Sequence, residues 1–413
     1  MKRNLDDQAK IFSLSYNKKD TSIFRISINL NQKIDEKFLL QAATRTLKQH
    51  KEFKVKLTKN LFWYYLEENT MEIPLHNTID YKFKKIHTKE NNNYLFKISY
   101  NENQLALDFF HLLTDGTGAK IFTQELIYNY LRLIDHKLKL QDKIAISAEN
   151  AYTKNYTHKI NKIFNPPVSF KIRGKYTPKK QVAFNDFYID LNDIKRLSQQ
   201  KECSLSVLLI SIIVYSIYET NYKKYKGKKP INVCIPINLR KYFETNTISN
   251  FVSHSMLSIL PKKITSLDDI INLVNKEYTN KIEEQKIKNT LESNGKSINT
   301  KILNYIPLFI KRPIVILGSY FVKQTFTITF SNMGKIDFIH EYTKYIDDIS
   351  FKLIPDWRER IRCGISTYQD KLNICFGSNI LDTSIEKKMK KILEENNIKH
   401  ELKTNNINNI KFD

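Results

Sequence analysis

Cysteine is scarce, with four among 413 residues. Cys203, Cys234, Cys363 and Cys375 stand far apart, with neither a C-x-x-C pair nor a histidine at ligand spacing, which excludes the usual kind of zinc site and a disulfide framework. Three of them fall in apolar runs, where a thiol packs as a small buried hydrophobe. Long hydrophobic runs are lacking too. The most apolar stretch, Leu205 to Tyr218, is too short for a bilayer crossing and is punctuated by serines, so it reads as a buried helix and no transmembrane segment is expected. The opening MKRNLDDQAK has two bases, then two acids and no apolar core; it does not read as a secretory signal, and the chain is expected in the cytoplasm.

Acidic residues are in deficit, 43 Asp and Glu against 67 Lys and Arg, for a formal charge of +24. Such an excess suits nucleic acid, an anionic membrane surface or a phosphorylated small molecule. The lysines are scattered, however, and the densest run, Tyr222 to Lys229 (YKKYKGKK), falls where a helix-to-strand loop is expected. Most of the charge therefore reads as a solvated surface. Nucleic acid is not an expected partner, and peripheral membrane contact stays open.

What is present is 41% hydrophobic and 12% aromatic residues, in a chain long enough for two domains. Alternation and helical spacing predict a strand over Ile23–Leu30, a helix capped by Asp35, a strand pair near Phe53–Leu57 and Leu61–Leu66, and a hairpin of Tyr94–Tyr100 with Leu105–Phe110. Asp142 to Lys180, which contains Pro166-Pro167, has little periodicity and reads as a connector. Beyond it come a strand over Val182–Ile189, helices from Asp193 and from Ser204, an apolar strand over Ile231–Ile237 and a strand ending at Leu260. A helix opened by Ser266 and Asp269, a strand over Thr325–Phe330, a hairpin of Arg362–Tyr368 with Leu372–Phe376 and a helix over Ser384–Glu395 follow. The expected organisation is an N-terminal lobe over 1–150, a connector over 151–181 and a C-terminal lobe over 182–413.

The chain is organised around Leu105 to Gly118, LALDFFHLLTDGTG, in which His111, Asp115 and Gly116 make the pattern H-x-x-x-D-G. Leu105, Leu107, Phe109 and His111 share one parity, and helical spacing resumes at Ile121, so the stretch reads as strand, tight turn, helix. An imidazole at a strand end, with one ring nitrogen held by a backbone carbonyl, can act as a general base through the other. A carboxylate at a buried turn needs a cationic or N–H partner, which points to a structural task for Asp115, and glycine at 116 tolerates angles or close approaches closed to other residues. By itself the motif fits equally a satisfied core histidine before a common Asp-Gly turn. His254 reads as a core residue.

Four ordered stretches, FHLLTDGTG from Phe110, PINLRKYF from Pro236, Asn250-Phe251 and Ser331-Asn332-Met333-Gly334, resemble motifs of the HxxxDG acyltransferase superfamily, which includes chloramphenicol acetyltransferase and the condensation domains of nonribosomal peptide synthetases. They are most similar to those of bacterial condensation-domain-like alcohol acetyltransferases. The resemblance implies an α/β (α+β) fold of two chloramphenicol-acetyltransferase-like lobes, each a mixed sheet with packed helices, and an active-site tunnel between them. It implies acyl transfer, acetyl by preference, from acyl-CoA to a small alcohol or amine, with His111 as base, no metal and no permanently bound cofactor. Asn238, Arg240 and Asn250 are expected to shape the site. Ser331, Asn332 and the backbone near Gly116 are candidate oxyanion donors. Asp115 is expected to pair with Arg240 through a bidentate contact. A carrier-protein thioester as donor is the alternative, with a non-catalytic binding module behind it. Condensation domains usually have a second histidine where this chain has Phe110, and the plant relatives' D-F-G-W-G is absent, so peptide formation is not the expected reaction.

Overall fold

The computed structural model describes residues 2–17, 20–139, 145–155, 166–282, 305–405 and 407; within the expected connector, 156–165 lie outside the described residues. In chain order the first half comprises β1 (Lys2–Asn4), α1 (Asp7–Ser15), β2 (Ile23–Leu30), α2 (Glu36–Gln49), β3 (Val55–Lys59), β4 (Tyr64–Glu68), β5 (Leu75–His76), β6 (Phe96–Asn101), β7 (Gln104–Phe110) and α3 (Gly116–Ile134). After α4 (Ala151–Asn155) come β8 (Ala183–Asp190), α5 (Leu191–Gln200), α6 (Leu205–Ile217), β9 (Ile231–Asn238), β10 (Val252–Ile259), α7 (Leu267–Lys281) and α8 (Leu308–Val322). The chain continues through β11 (Ile328–Lys335), α9 (His340–Thr343), β12 (Ile346–Leu353), β13 (Ile361–Tyr368), β14 (Lys371–Ser378), α10 (Ser384–Glu395) and β15 (His400–Thr404).

The expected helix starts are made by the expected caps. The Asp35 side chain accepts from the Phe38 N–H at 3.0 Å, and Ser266 and Asp269 close a reciprocal capping box that satisfies two otherwise orphaned amides. A five-stranded sheet runs in the order β12-β2-β7-β6-β5, a seven-stranded sheet in the order β10-β9-β11-β13-β14-β8-β15, and a small one in the order β1-β4-β3. Each large sheet mixes parallel with antiparallel neighbours. Two cores follow from them. One gathers Ile26, Ile28, Leu107 and Phe109 with Phe122 and Leu126 of α3, and the other gathers α5, α6, α7 and α10 residues with Val233, Ile365 and Phe376. The two-lobed α/β architecture read from the sequence is the one observed.

Residues 182–413 do not all stay in the second lobe. Strand β12 lies at the edge of the first sheet, antiparallel to β2, with Phe351 opposite Ile26, and its Ile349 and Phe351 join the first core. Strand β11 continues to Lys335, so Ser331-Asn332-Met333-Gly334 belongs to the strand and does not follow its end. Helix α6 runs on through a π turn over Tyr218–Tyr222, which makes 18 residues long and apolar enough to cross a membrane; most of that stretch is buried in the second core. A small polar cleft is lined by residues of both large sheets, among them Arg25, Asp186, Lys352 and Lys403, and by none of the motif residues.

Candidate active site

His111 directly follows β7, and its backbone N–H donates to the Ser22 carbonyl at 2.8 Å. The ring stacks on Phe12 of α1, with centroids 4.5 Å apart, and meets Phe24 edge-on at 5.1 Å. Its Nδ1 lies 3.0 Å from Oδ1 of Asn250, a side-chain partner where a backbone carbonyl was expected. An amide oxygen only accepts, so Nδ1 carries the proton and Nε2 keeps its lone pair. The amide is itself oriented, because Nδ2 and the backbone N–H of Asn250 both donate to Oδ2 of Asp6, at 3.3 and 3.1 Å. Turned over, the amide would take from Asp6 Oδ2 the donor it has in Nδ2. The other Asp6 oxygen accepts from the Ala9 N–H at 2.7 Å, as the cap of α1. Asp6, Asn250 and His111 thus form a series in which each group fixes the next.

Burial lowers the His111 pKa and the charge of Arg362 adds to this; Asp115, the backbone carbonyl of His111 itself and Asn250 pull the other way without prevailing. The imidazole is neutral near pH 7. His254 on β10 feels burial first and the neighbouring His111 second, which bring its pKa down to about 4. At Asp6, burial pushes the pKa up to about 7 against three N–H donors, and the Asp115 charge adds to the rise.

Asp115 is 1% exposed and fully occupied. As the cap of α3 its Oδ1 accepts from the Thr117 and Gly118 amides, while Oδ2 accepts from Arg240 Nη1 at 2.8 Å and the Phe251 N–H at 2.9 Å. The pair with Arg240 exists, but it is not bidentate. Nε and Nη2 of the guanidinium donate instead to the carbonyls of Thr247 and Ser249, and Nη1 also reaches Asn238 Oδ1 at 3.2 Å. Asn238 Nδ2 donates to Thr117 Oγ1, and Thr114 Oγ1 donates to the Ile248 carbonyl. The motif turn is thereby bonded to residues 238–251 of the second half at several points.

The glycine argument shifts by two residues. A Cβ on Gly116 would meet Met333 Cε at 3.6 Å and Phe351 Cζ at 4.0 Å, ordinary contacts. On Gly118 it would fall 2.1 Å from Thr114 Oγ1 and 2.5 Å from the Ile248 carbonyl oxygen, so the close approach belongs there. Ser331 is half-buried on β11, two residues before the Met333 that faces Gly116. Asn332 is exposed, its Oδ1 accepts from the Gly334 N–H, and no hydrogen bond among the described residues joins it to the His111 cluster. The structure therefore brings together His111, Asp115, Gly116, Asn238, Arg240 and Asn250 and leaves Asn332 apart. The sequence reading missed Asp6, Phe12 and Phe24. Asp6 had a local signal, a carboxylate ahead of a helix. Its bond to residue 250 had none.

Among the described residues no group of three or more His, Cys, Asp or Glu side chains is placed to hold a metal ion. No family model matches the sequence. The structure is similar to polyketide synthase associated protein 5 from Mycobacterium tuberculosis (TM-score 0.63, 13% identity, 95% of this chain and 96% of that one). It is similar also to the epimerization domain of the third module of tyrocidine synthetase B (TM-score 0.60, 12% identity, 96% and 97%) and to the starter condensation domain of rhizomide synthetase in complex with C8-CoA and Leu-SNAC (TM-score 0.60, 10% identity, 96% and 93%). At such identities the likeness concerns architecture, and it extends over nearly the whole length of each chain: the protein has the two-lobed fold of condensation and epimerization domains.

Proposed function

We propose that the protein is an acyltransferase that moves an acyl group, acetyl by preference, from acyl-CoA to a hydroxyl or amine, with His111 as general base. The observation that carries this reading is the series Asp6, Asn250, His111, which leaves a neutral imidazole with its Nδ1 protonated and Nε2 unprotonated. Nε2 takes the proton of the acceptor as its oxygen or nitrogen attacks the thioester carbonyl carbon. The tetrahedral intermediate carries an oxyanion, for which Ser331 and the backbone N–H of Gly116 are the donors, the Thr117 and Gly118 amides being held by Asp115. Collapse breaks the C–S bond, and the imidazolium returns its proton to the departing thiolate. Asp115 and Arg240 hold the turn in shape and do not handle protons. Asn332 has no part in this reading.

A similar fold solved with C8-CoA supports a CoA thioester as donor. Phe110, in place of the second histidine usual in condensation domains, favours ester over peptide formation, so an alcohol O-acetyltransferase is the reading preferred. A phosphopantetheine arm on a carrier protein presents the same thioester end and is the second reading, supported by the condensation-domain architecture and by the Leu-SNAC held by that same neighbour. Incubation with acetyl-CoA and a panel of alcohols, amines and lipids, read as free thiol release, tests the proposal. His111→Ala should lower the rate by about 10²–10⁴-fold with an unchanged circular dichroism spectrum. Equal turnover by the variant would remove His111 from the mechanism.

A further inference from the structure

Helix α8 is built inside out. Of its 15 residues, LFIKRPIVILGSYFV, only Lys311 is fully buried. Lys311 donates from Nζ to the Phe62 carbonyl at 2.9 Å and lies over the Trp63 ring, while its neighbour Arg312 donates to the Tyr16 carbonyl and lies over the Tyr16 ring. The apolar side chains face outward: Phe309 is 72% exposed, Ile314 61%, and Leu317 and Phe321 59% each. With Ile310, the last three recur at i, i+4, i+7 and i+11, so they make one continuous stripe. Exposed apolar residues scattered singly call for no account, but a stripe of four residues over about three turns, with its cations turned inward, does.

We infer that this outward face of α8 docks on an anionic lipid bilayer. Charge selects the partner. Exposed Lys85 lies within electrostatic range of exposed Lys59 and of Arg312 in the helix itself, and Arg358 sits at the C-terminal end of the helix with Nη1 on the Tyr320 carbonyl. Among the described residues none of these four enters an ion pair. A basic rim around an apolar stripe matches acidic headgroups around acyl chains. It does not match a second copy of the chain, since a twofold contact through this face would bring each basic rim towards its own copy. Fifteen residues span about 22 Å, enough to lie along a membrane surface and too little to cross it. Exposed Leu61 and Trp357 adjoin the helix, the Leu61 carbonyl accepting from the Leu308 N–H and the tryptophan in contact with Tyr320. The inference does not depend on the acyl-transfer reading.

Flotation of the full chain with vesicles of phosphatidylcholine, alone or mixed with phosphatidylglycerol, tests it. The protein should float with the mixed vesicles and progressively less as salt is raised. Leu317→Glu/Phe321→Glu should reduce partitioning about tenfold or more, Phe309→Ser should act in the same direction, and Leu260→Glu, at an exposed apolar position just past β10, should leave it unchanged. Failure of the wild type to float overturns the inference. So does equal flotation of the double variant, which would assign binding to scattered lysines. A wild-type dimer that the double variant converts to monomer, with neither floating, would make the face a contact between copies and overturn it as well.

Discussion

A histidine acts as a base near neutral pH only when its proton sits on the far nitrogen, and here Asn250 sets that condition with Asp6 behind it. Asp6 carries a testable signature. A carboxyl group whose pKa rises from 3.8 to about 7 binds its proton more tightly in the folded state, so the stability it contributes is full below 3.8 and is lost as pH climbs through 7. Relative to Asp6→Asn, the wild type should therefore lose stability between about pH 4 and pH 8, by an amount on the order of a few kcal/mol. Urea unfolding across that range reads the difference, and a gap independent of pH would place the group's proton elsewhere. The Asp115–Arg240 contact makes a second case. Removing one partner of a buried pair costs about 3–5 kcal/mol, and Arg240→Met should cost more than Asp115→Asn because it also strips the Thr247 and Ser249 carbonyls of their donor. The double variant Asp115→Asn/Arg240→Met should lose less than the two losses added; strict additivity would mean the two residues are not coupled.

At the level of elements, the turn from β7 into α3 depends on a glycine that the motif does not emphasise. Gly118→Ala should destabilise the protein by about 2 kcal/mol or more, since the new methyl meets a carbonyl oxygen that belongs to another segment. Gly116→Ala, at the first helical position with only ordinary contacts, should change stability by less than about 1 kcal/mol. Equal losses in chemical denaturation would contradict the packing around Ile248. Strand β12 shows how an element goes unread. Its Ile349, Phe351 and Leu353 alternate with Asp348, Ser350 and Lys352, a period-two pattern as regular as that of the strands recognised. The apolar set packs with the first core, and the polar set turns towards the second sheet, where Asp348 accepts from Tyr188 and Lys403 and Lys352 pairs with Asp186.

At the scale of the molecule, the exchange of β12 couples the lobes. The first sheet is incomplete without residues 346–353, and the motif turn is bonded to residues 238–251. Unfolding by calorimetry should therefore give one cooperative transition, with calorimetric and van't Hoff enthalpies in agreement. Two resolved transitions would show lobes that fold independently. The basic surface and the outward apolar face of α8 belong to this scale as well, since both concern what the folded molecule meets.

Local physics made much of this legible from the residues alone. Alternation marked β2 and β7, a continuous apolar run marked β9, and carboxylate and hydroxyl caps marked α2 and α7, because each signal lies within a few residues of the structure it specifies. The H-x-x-x-D-G stretch was legible for the same reason, with strand, turn, cap and helix all inside its own 14 residues. Tertiary structure alone decided the rest. Asp6 reaches Asn250 across 244 positions, β12 chose the sheet of the other lobe, and the polar side of α8 turned inward because Phe62 and Tyr16 offered carbonyls and aromatic rings to its cations. Contacts between distant segments are settled by which folded surfaces can satisfy one another's buried polar groups, and no short-range pattern encodes that choice.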